Sequence, residues 1–146
     1  SPKELINVAI ERMQVQSERS GLELIAEIPD NLPDLLADPD KVGQVLVNLL
    51  HNAIKFTPPG GKIIVKANPD DNEVIFSIMD TGVGIESEFL ARIFERFYKT
   101  DRARSSGGTG LGLSITRHII EAHNGRVWVE SKLGEGSTFY FSLPNV

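Results

Sequence analysis

Apolar residues return along this chain with two periods, one near 3.6 and one of two. Leu5, Val8, Ala9 and Met13 recur at helical spacing behind Ser1-Pro2-Lys3-Glu4, which has the form of a capping box with proline at the first helical position. A first helix to about Arg19 is predicted, with Gly21 after it. LELIAEIP, 22 to 29, reads as a strand stopped by proline. Asp38-Pro39 has the form of an N-cap followed by proline and opens a helix to about Phe56, which Pro58-Pro59-Gly60-Gly61 ends. Residues 62 to 67 and 73 to 79 are strand-like, and Asn68-Pro69-Asp70-Asp71-Asn72 between them is a turn by composition. A short helix is expected over 87 to 97. The polar, basic, Gly/Ser-rich stretch 100 to 108 is too long for a tight turn and predicts a mobile loop. A helix from Leu111 to His123 closes on Asn124-Gly125, and 126 to 131 and 137 to 143 alternate as a final strand pair. Mixed helices and strands, with consecutive strands near the end, predict an α+β two-layer sandwich: one mixed sheet with helices on one face.

Length and composition narrow this further. The 146 residues make one ordinary domain, 1–146, able to bury a core without disulfides or a structural metal. No stretch approaches the roughly 18 consecutive apolar residues of a membrane span, and the amphipathic, acid-bearing first helix is unlike a signal peptide. A cytoplasmic domain without direct membrane contact is the expectation. The chain has no cysteine, which excludes zinc–thiolate sites and thiol catalysis. A net charge of −5 argues against nucleic acid as a partner, because phosphate contacts need a basic surface. His118 and His123 are five apart and miss the zinc-binding spacing of a helix face.

Candidate chemistry begins at SSGGTGLGLSITRHII, 105 to 120, where Gly107, Gly108, Gly110 and Gly112 precede a helical pattern. Glycines ahead of a helix let backbone approach a ligand, and a helix start favours an anion. The spacing is not that of a dinucleotide-binding turn, since no strand precedes it. The single Gly-Lys, Gly61-Lys62, is followed by isoleucine and starts a strand, so a Walker loop is absent, and no H-R-D or D-F-G motif follows the glycines.

Two other places complete the set. On the helix 39 to 56, at about 100° per residue, Val42, Val45, Leu46, Leu49, Leu50 and Ala53 fall on one side and Asn48, Asn52 and Lys55 on an adjacent stripe. Two asparagines, poor helix formers, with a lysine beyond them could be exposed polar residues, or an oxygen-and-ammonium platform for Mg²⁺ and phosphates. Asp80-Thr81-Gly82-Val83-Gly84-Ile85 follows the apolar run EVIFSIM. A carboxylate there is costly to bury unless hydrogen-bonded, although turn chemistry would also explain the stretch.

Taken in order, N-L-L-H-N-A-I-K-F-T (48 to 57), D-T-G-V-G-I (80 to 85), F-E-R-F-Y (94 to 98), G-T-G-L-G-L (108 to 113) and G-E-G-S-T-F (134 to 139) resemble the N box, glycine boxes and F box of sensor histidine kinases. The resemblance spans the catalytic, ATP-binding domain of that family. It implies that Asn52 supplies an oxygen to Mg²⁺, that Asn48 lies beside metal and phosphates, and that Lys55 contacts phosphate. It implies that Asp80 accepts a hydrogen bond from the adenine amino group, with Gly82 and Gly84 giving the purine room. The triphosphate would lie on backbone N–H groups around Gly108, Gly110 and Gly112. Loop 99 to 107 would be an ATP lid anchored by Phe94 and Phe97, with Lys99 and Arg102 reaching the phosphates and Arg104 beside them. Many relatives carry arginine where this chain has Lys99. Ile85, Thr109, Leu111, Leu113 and Thr138 complete the implied nucleotide contacts, and Asn48, Lys55 and Lys99 the implied catalytic set.

The resemblance extends to gyrase-type ATPases, which place a glutamate four residues before the metal-binding asparagine as a base for water. Here that position is Asn48, and an amide cannot take that proton. The expected reaction is therefore transfer of the γ-phosphoryl of ATP to a histidine. His51, His118 and His123 do not sit in the family's acceptor motif, so the acceptor is expected on a preceding dimerising phosphoacceptor domain, absent from this chain, with a response regulator downstream. The alternatives are a serine kinase of the anti-sigma-factor type and a non-catalytic, nucleotide-gated interaction module.

Overall fold

The computed structural model describes residues 1–85, 87–90, 92–94 and 112–146. Helix α1 (Pro2–Arg19) starts at Ser1, whose side chain makes no capping bond, so the expected capping box does not form. Leu5 N–H instead reaches the Ser1 carbonyl at 3.2 Å, and proline at the first position presets the backbone. Past the C-terminal Ser20, Gly21 takes the left-handed conformation (φ 72°), and the Leu22 N–H returns to the Ser17 carbonyl at 2.9 Å. Strand β1 (Glu23–Glu27) follows, then helix α2 (Pro39–Phe56), strands β2 (Lys62–Asp70) and β3 (Glu73–Asp80), the short helix α3 (Ser87–Leu90), helix α4 (Gly112–Ala122), and strands β4 (Val127–Ser131) and β5 (Ser137–Pro144).

The five strands form one sheet in the order β1-β2-β3-β5-β4. Among the described strands only β1–β2 is parallel, and α2 provides the crossover that parallel pairing needs. Val74, Phe76, Ile78 and Asp80 alternate to one side of β3. In register beside them stand Ala67, Val65 and Ile63 of β2 and Leu143, Phe141, Phe139 and Ser137 of β5. That side meets Ile6, Ala9 and Met13 of α1, the apolar side of α2, and Ile119 and Ile120 of α4 in one core. Phe76 and Phe141 stack at its centre, 4.6 Å between ring centroids. The expected sandwich of helices on one face of a mixed sheet is the observed one.

Two elements differ from expectation. β2 continues through Pro69 to Asp70, leaving only Asp71 (φ 52°) and Asn72 in the turn. Among the described residues β1 pairs with β2 no further than Lys66, so Pro69 lies past that ladder, where proline is tolerated. The helix expected over 87 to 97 is helical only over Ser87–Leu90 among the described residues, and Arg92–Phe94 form a turn. Ile93 is buried there and Phe94 sets its ring edge-on to Phe139 at 6.0 Å, so core packing overrides helical continuation. No described helix is long and apolar enough to cross a membrane.

Candidate functional site

α2 is built to be held at both ends. Asp38 Oδ1 accepts from the Asp40 and Lys41 N–H groups at 3.0 and 3.4 Å, Pro39 occupies the first turn, and Asp40 complements the positive end of the helix. Between the ends, Val42, Val45, Leu46, Leu49, Leu50 and Ala53 are buried. Asn48 and Asn52 are half-buried on the adjoining stripe and Lys55 is exposed, its ammonium 5.5 Å from the centre of the Phe56 ring. At the C-terminal end the Phe56 carbonyl accepts the Val83 N–H at 3.2 Å. The asparagine helix and the Asp80 turn are therefore fastened directly to each other.

Asp80 ends β3 with its side chain on the core side of the sheet, 5% exposed. Oδ1 accepts from Gly82 N–H at 2.9 Å and from Ser137 N–H at 3.2 Å. Burial raises the carboxyl pKa above its ordinary value, and the two backbone donors, Gly82 first and then Ser137, oppose that. Neither bond uses Oδ2. The glycines of this turn serve the protein's own backbone: a Cβ on Gly82 would collide with the Phe56 carbonyl, and one on Gly84 (φ 75°) with the Lys132 carbonyl. The 132–136 turn is tied on by the Gly134 N–H, 2.7 Å from the Val83 carbonyl. Ile85 packs against the core and its N–H reaches Ser131 Oγ at 2.8 Å.

Thr138 is not brought to this group. Alternation along β5 sends Ser137 to Asp80's side and Thr138 to the opposite face, between Met79 and Glu130 in register. Ser137 lies within the G-E-G-S-T-F motif, from which Thr138 rather than Ser137 is the expected contact. Counting by twos from the buried Phe139 would have found it.

Gly112 opens α4, and Leu113 packs half-buried against the core, so the last residues of the second glycine motif lie where a helix N-terminus begins. Phe94, half-buried, packs against the core with its ring edge-on to Phe139. Phe97, Lys99, Arg102, Arg104, Gly107, Gly108, Thr109, Gly110 and Leu111, with the expected lid, lie outside the described residues.

A second connection was not legible. His123, at the far end of α4, accepts the Asp38 N–H at Nε2 (3.1 Å) while Nδ1 lies 2.8 Å from the Ile119 carbonyl. A carbonyl only accepts and an amide only donates, so the ring is the neutral Nδ1–H tautomer. It joins α4 to the start of α2.

Residues 37–146 match the family of histidine kinase-, DNA gyrase B- and HSP90-like ATPases. The chain is 45% identical over 141 residues to the adaptive-response sensory kinase SasA of Synechococcus elongatus, covering 96% of this chain and 36% of that protein. It thus spans about a third of the length of that curated relative. Among solved structures it resembles full-length ShkA in complex with AMPPNP (TM-score 0.90, 35% identity, all of this chain and 30% of that one). It also resembles the catalytic domain of histidine kinase ThkA (TM-score 0.86, 32% identity, 98% of this chain and 93% of that one), a kinase also solved with the response regulator TrrA. With its sheet, its asparagine helix and its buried aspartate in this arrangement, the chain belongs to the histidine kinase-, DNA gyrase B- and HSP90-like ATPase family, as a domain of the histidine kinase catalytic kind.

Proposed function

We propose that this chain binds MgATP and transfers the γ-phosphoryl group to a histidine nitrogen on a separate phosphoacceptor domain. The observation that carries the nucleotide reading is the buried Asp80 carboxylate, oriented through Oδ1 by two backbone donors. Its other oxygen would accept from the adenine amino group, whereas guanine would offer a carbonyl lone pair there.

Asn48 and Asn52 supply neutral amide oxygens, which suit a hard cation. Among the described residues no group of three His, Cys, Asp or Glu could hold a metal, so charge balance for Mg²⁺ falls to the phosphates. Mg²⁺ held there with the phosphates would supply positive charge against the transferring group. Lys55 adds a cation, and Lys99 and Arg102 are proposed to add others. Gly112, with Gly108, Thr109, Gly110, Leu111 and Leu113 of the same motif, would present backbone N–H groups to the triphosphate. Asn48 cannot act as a base for water, which supports transfer over hydrolysis. In the transfer the bond from the γ-phosphorus to its bridging oxygen breaks, a phosphorus–nitrogen bond forms, and ADP leaves.

His123 has both ring nitrogens engaged and is unsuited as the acceptor. Because none of His51, His118 and His123 sits in the family's acceptor motif, the acceptor is assigned to a dimerising histidine hairpin of the parent protein, with a response regulator downstream, as the ThkA–TrrA complex suggests for that kinase. The test is incubation with Mg²⁺ and γ-labelled ATP, with and without that hairpin. Acid-labile label confined to the hairpin, with little free phosphate from the chain alone, is the expected result; rapid phosphate release by the chain alone would overturn it. Replacing Asn52 (Asn52→Ala) should abolish Mg²⁺-dependent binding while circular dichroism stays unchanged, because Asn52 lies outside the core.

A further inference from the structure

β4 ends at Ser131, a half-buried residue separated from Asp80 by Ser137 of β5, and no motif singles it out. Its Oγ lies 3.0 Å from the Gly136 carbonyl oxygen, 2.7 Å from Ser137 Oγ and 2.8 Å from the Ile85 nitrogen. Three neighbours and one proton leave one arrangement. A carbonyl only accepts, so the Ser131 proton goes to Gly136. The Ile85 amide only donates, and Ser137 O–H then also donates to Ser131, whose two lone pairs take both. The hydroxyl is used to its full capacity.

The Gly136 carbonyl belongs to the same peptide unit as the Ser137 N–H that donates to Asp80 Oδ1. One rigid plane is thus gripped at both ends, by Ser131 at its oxygen and by Asp80 at its N–H. Bonding at the carbonyl also polarises the N–H and strengthens its donation to the carboxylate. Ile85, the third partner, closes the turn that begins at Asp80 and contains Gly82, the other donor to Oδ1. The bonds run from Asp80 along its turn to Ile85, across to Ser131, through the Gly136–Ser137 peptide, and back to Asp80.

We propose that Ser131 is a positioning residue that fixes the Asp80 carboxylate for the exocyclic amino group of adenine and so sets the preference for adenine over guanine nucleotides. This rests on the ATP reading above. A merely structural serine would, on removal, weaken all nucleotides alike or lower stability alone.

The test is the affinity of this chain for MgATP and MgGTP, by calorimetry, before and after Ser131→Ala, with Asp80→Asn as a control. The unmutated chain should prefer ATP. The alanine variant should lose about tenfold of ATP affinity with GTP affinity nearly unchanged, and Ser131→Thr, which keeps the hydroxyl, should restore the preference. If the unmutated chain binds both nucleotides equally, the adenine reading fails and this proposal with it. If Asp80→Asn erases a preference that Ser131→Ala leaves intact, the proposal alone is overturned, as it is if both affinities fall together. Should the alanine variant not fold, Ser131→Cys, close in shape and weaker as donor and acceptor, must lower the ATP-to-GTP ratio instead, and an unchanged ratio sinks the proposal.

Discussion

Thr116 of α4 is fully buried, and its hydroxyl has no hydrogen-bond partner among the described residues. An unmet buried hydroxyl costs about 1–3 kcal/mol, and valine has the same shape without that cost. Thr116→Val should therefore raise stability by about 1 kcal/mol, read as a higher denaturation midpoint in urea. Asp80 makes a prediction of opposite sign for two observables. Burial raises its carboxyl pKa in the fold above the ordinary 3.8, so the folded state holds the proton more readily than the unfolded chain. The group costs stability above its folded pKa, and that cost is relieved as pH falls from the folded value towards 3.8. MgATP affinity should fall over the same window, because the protonated acid has lost the acceptor that adenine uses. Parallel titrations of affinity and unfolding free energy, with Asp80→Asn flattening both responses, check the sign. Asp80, Asn48 and Asn52 were legible because each is odd where it stands, a carboxylate ending an apolar strand and amides on a helix. Ser131 and Ser137 were not, because serines on strands are ordinary and their meaning comes only from register across β4 and β5.

At the scale of elements, the joints between helices and turns hold the candidate site together. His123 and Asp38 are separated by 85 residues, and no local pattern relates them. His123→Ala should cost up to about 1 kcal/mol by cutting the joint between α4 and α2, with water taking the exposed Asp38 N–H, and Asp38→Ala about 1 kcal/mol by uncapping α2. Chemical denaturation of each variant measures this. A larger effect is expected at Gly84, where a side chain meets both a left-handed backbone and the Lys132 carbonyl. Gly84→Ala should cost more than about 2 kcal/mol and weaken nucleotide binding, since the 132–136 turn hangs from the same segment. Element types were readable from periodicity and caps over most of the chain. The short α3 was over-extended because Ile93 and Phe94 look like a helical continuation. The burial of Ile93 and the edge-on contact of Phe94 with Phe139, far along the chain, accompany a turn there instead.

Across the whole molecule, α2 has two tasks. It is the crossover that makes β1 parallel to β2, and it carries the asparagine stripe, and its C-terminal end is tied at Phe56 to the turn that follows β3. The sandwich class followed from alternating patterns, but the strand order did not, because nothing local says that β5 rather than β4 lies next to β3. That order bears on how the chain is made. A chain growing from its N-terminus delivers β1, β2 and β3 well before β5, so β3 waits with an open edge and with Val74, Phe76 and Ile78 only partly covered. An open apolar edge is a template for other chains. A version stopped just before β4 should aggregate rather than stay monomeric, which light scattering would reveal, and adding the remaining segment during refolding should suppress it. The strand that seats Ser137 beside Asp80 is thus also the one whose late arrival ends the period in which this protein is a hazard to its own copies during synthesis.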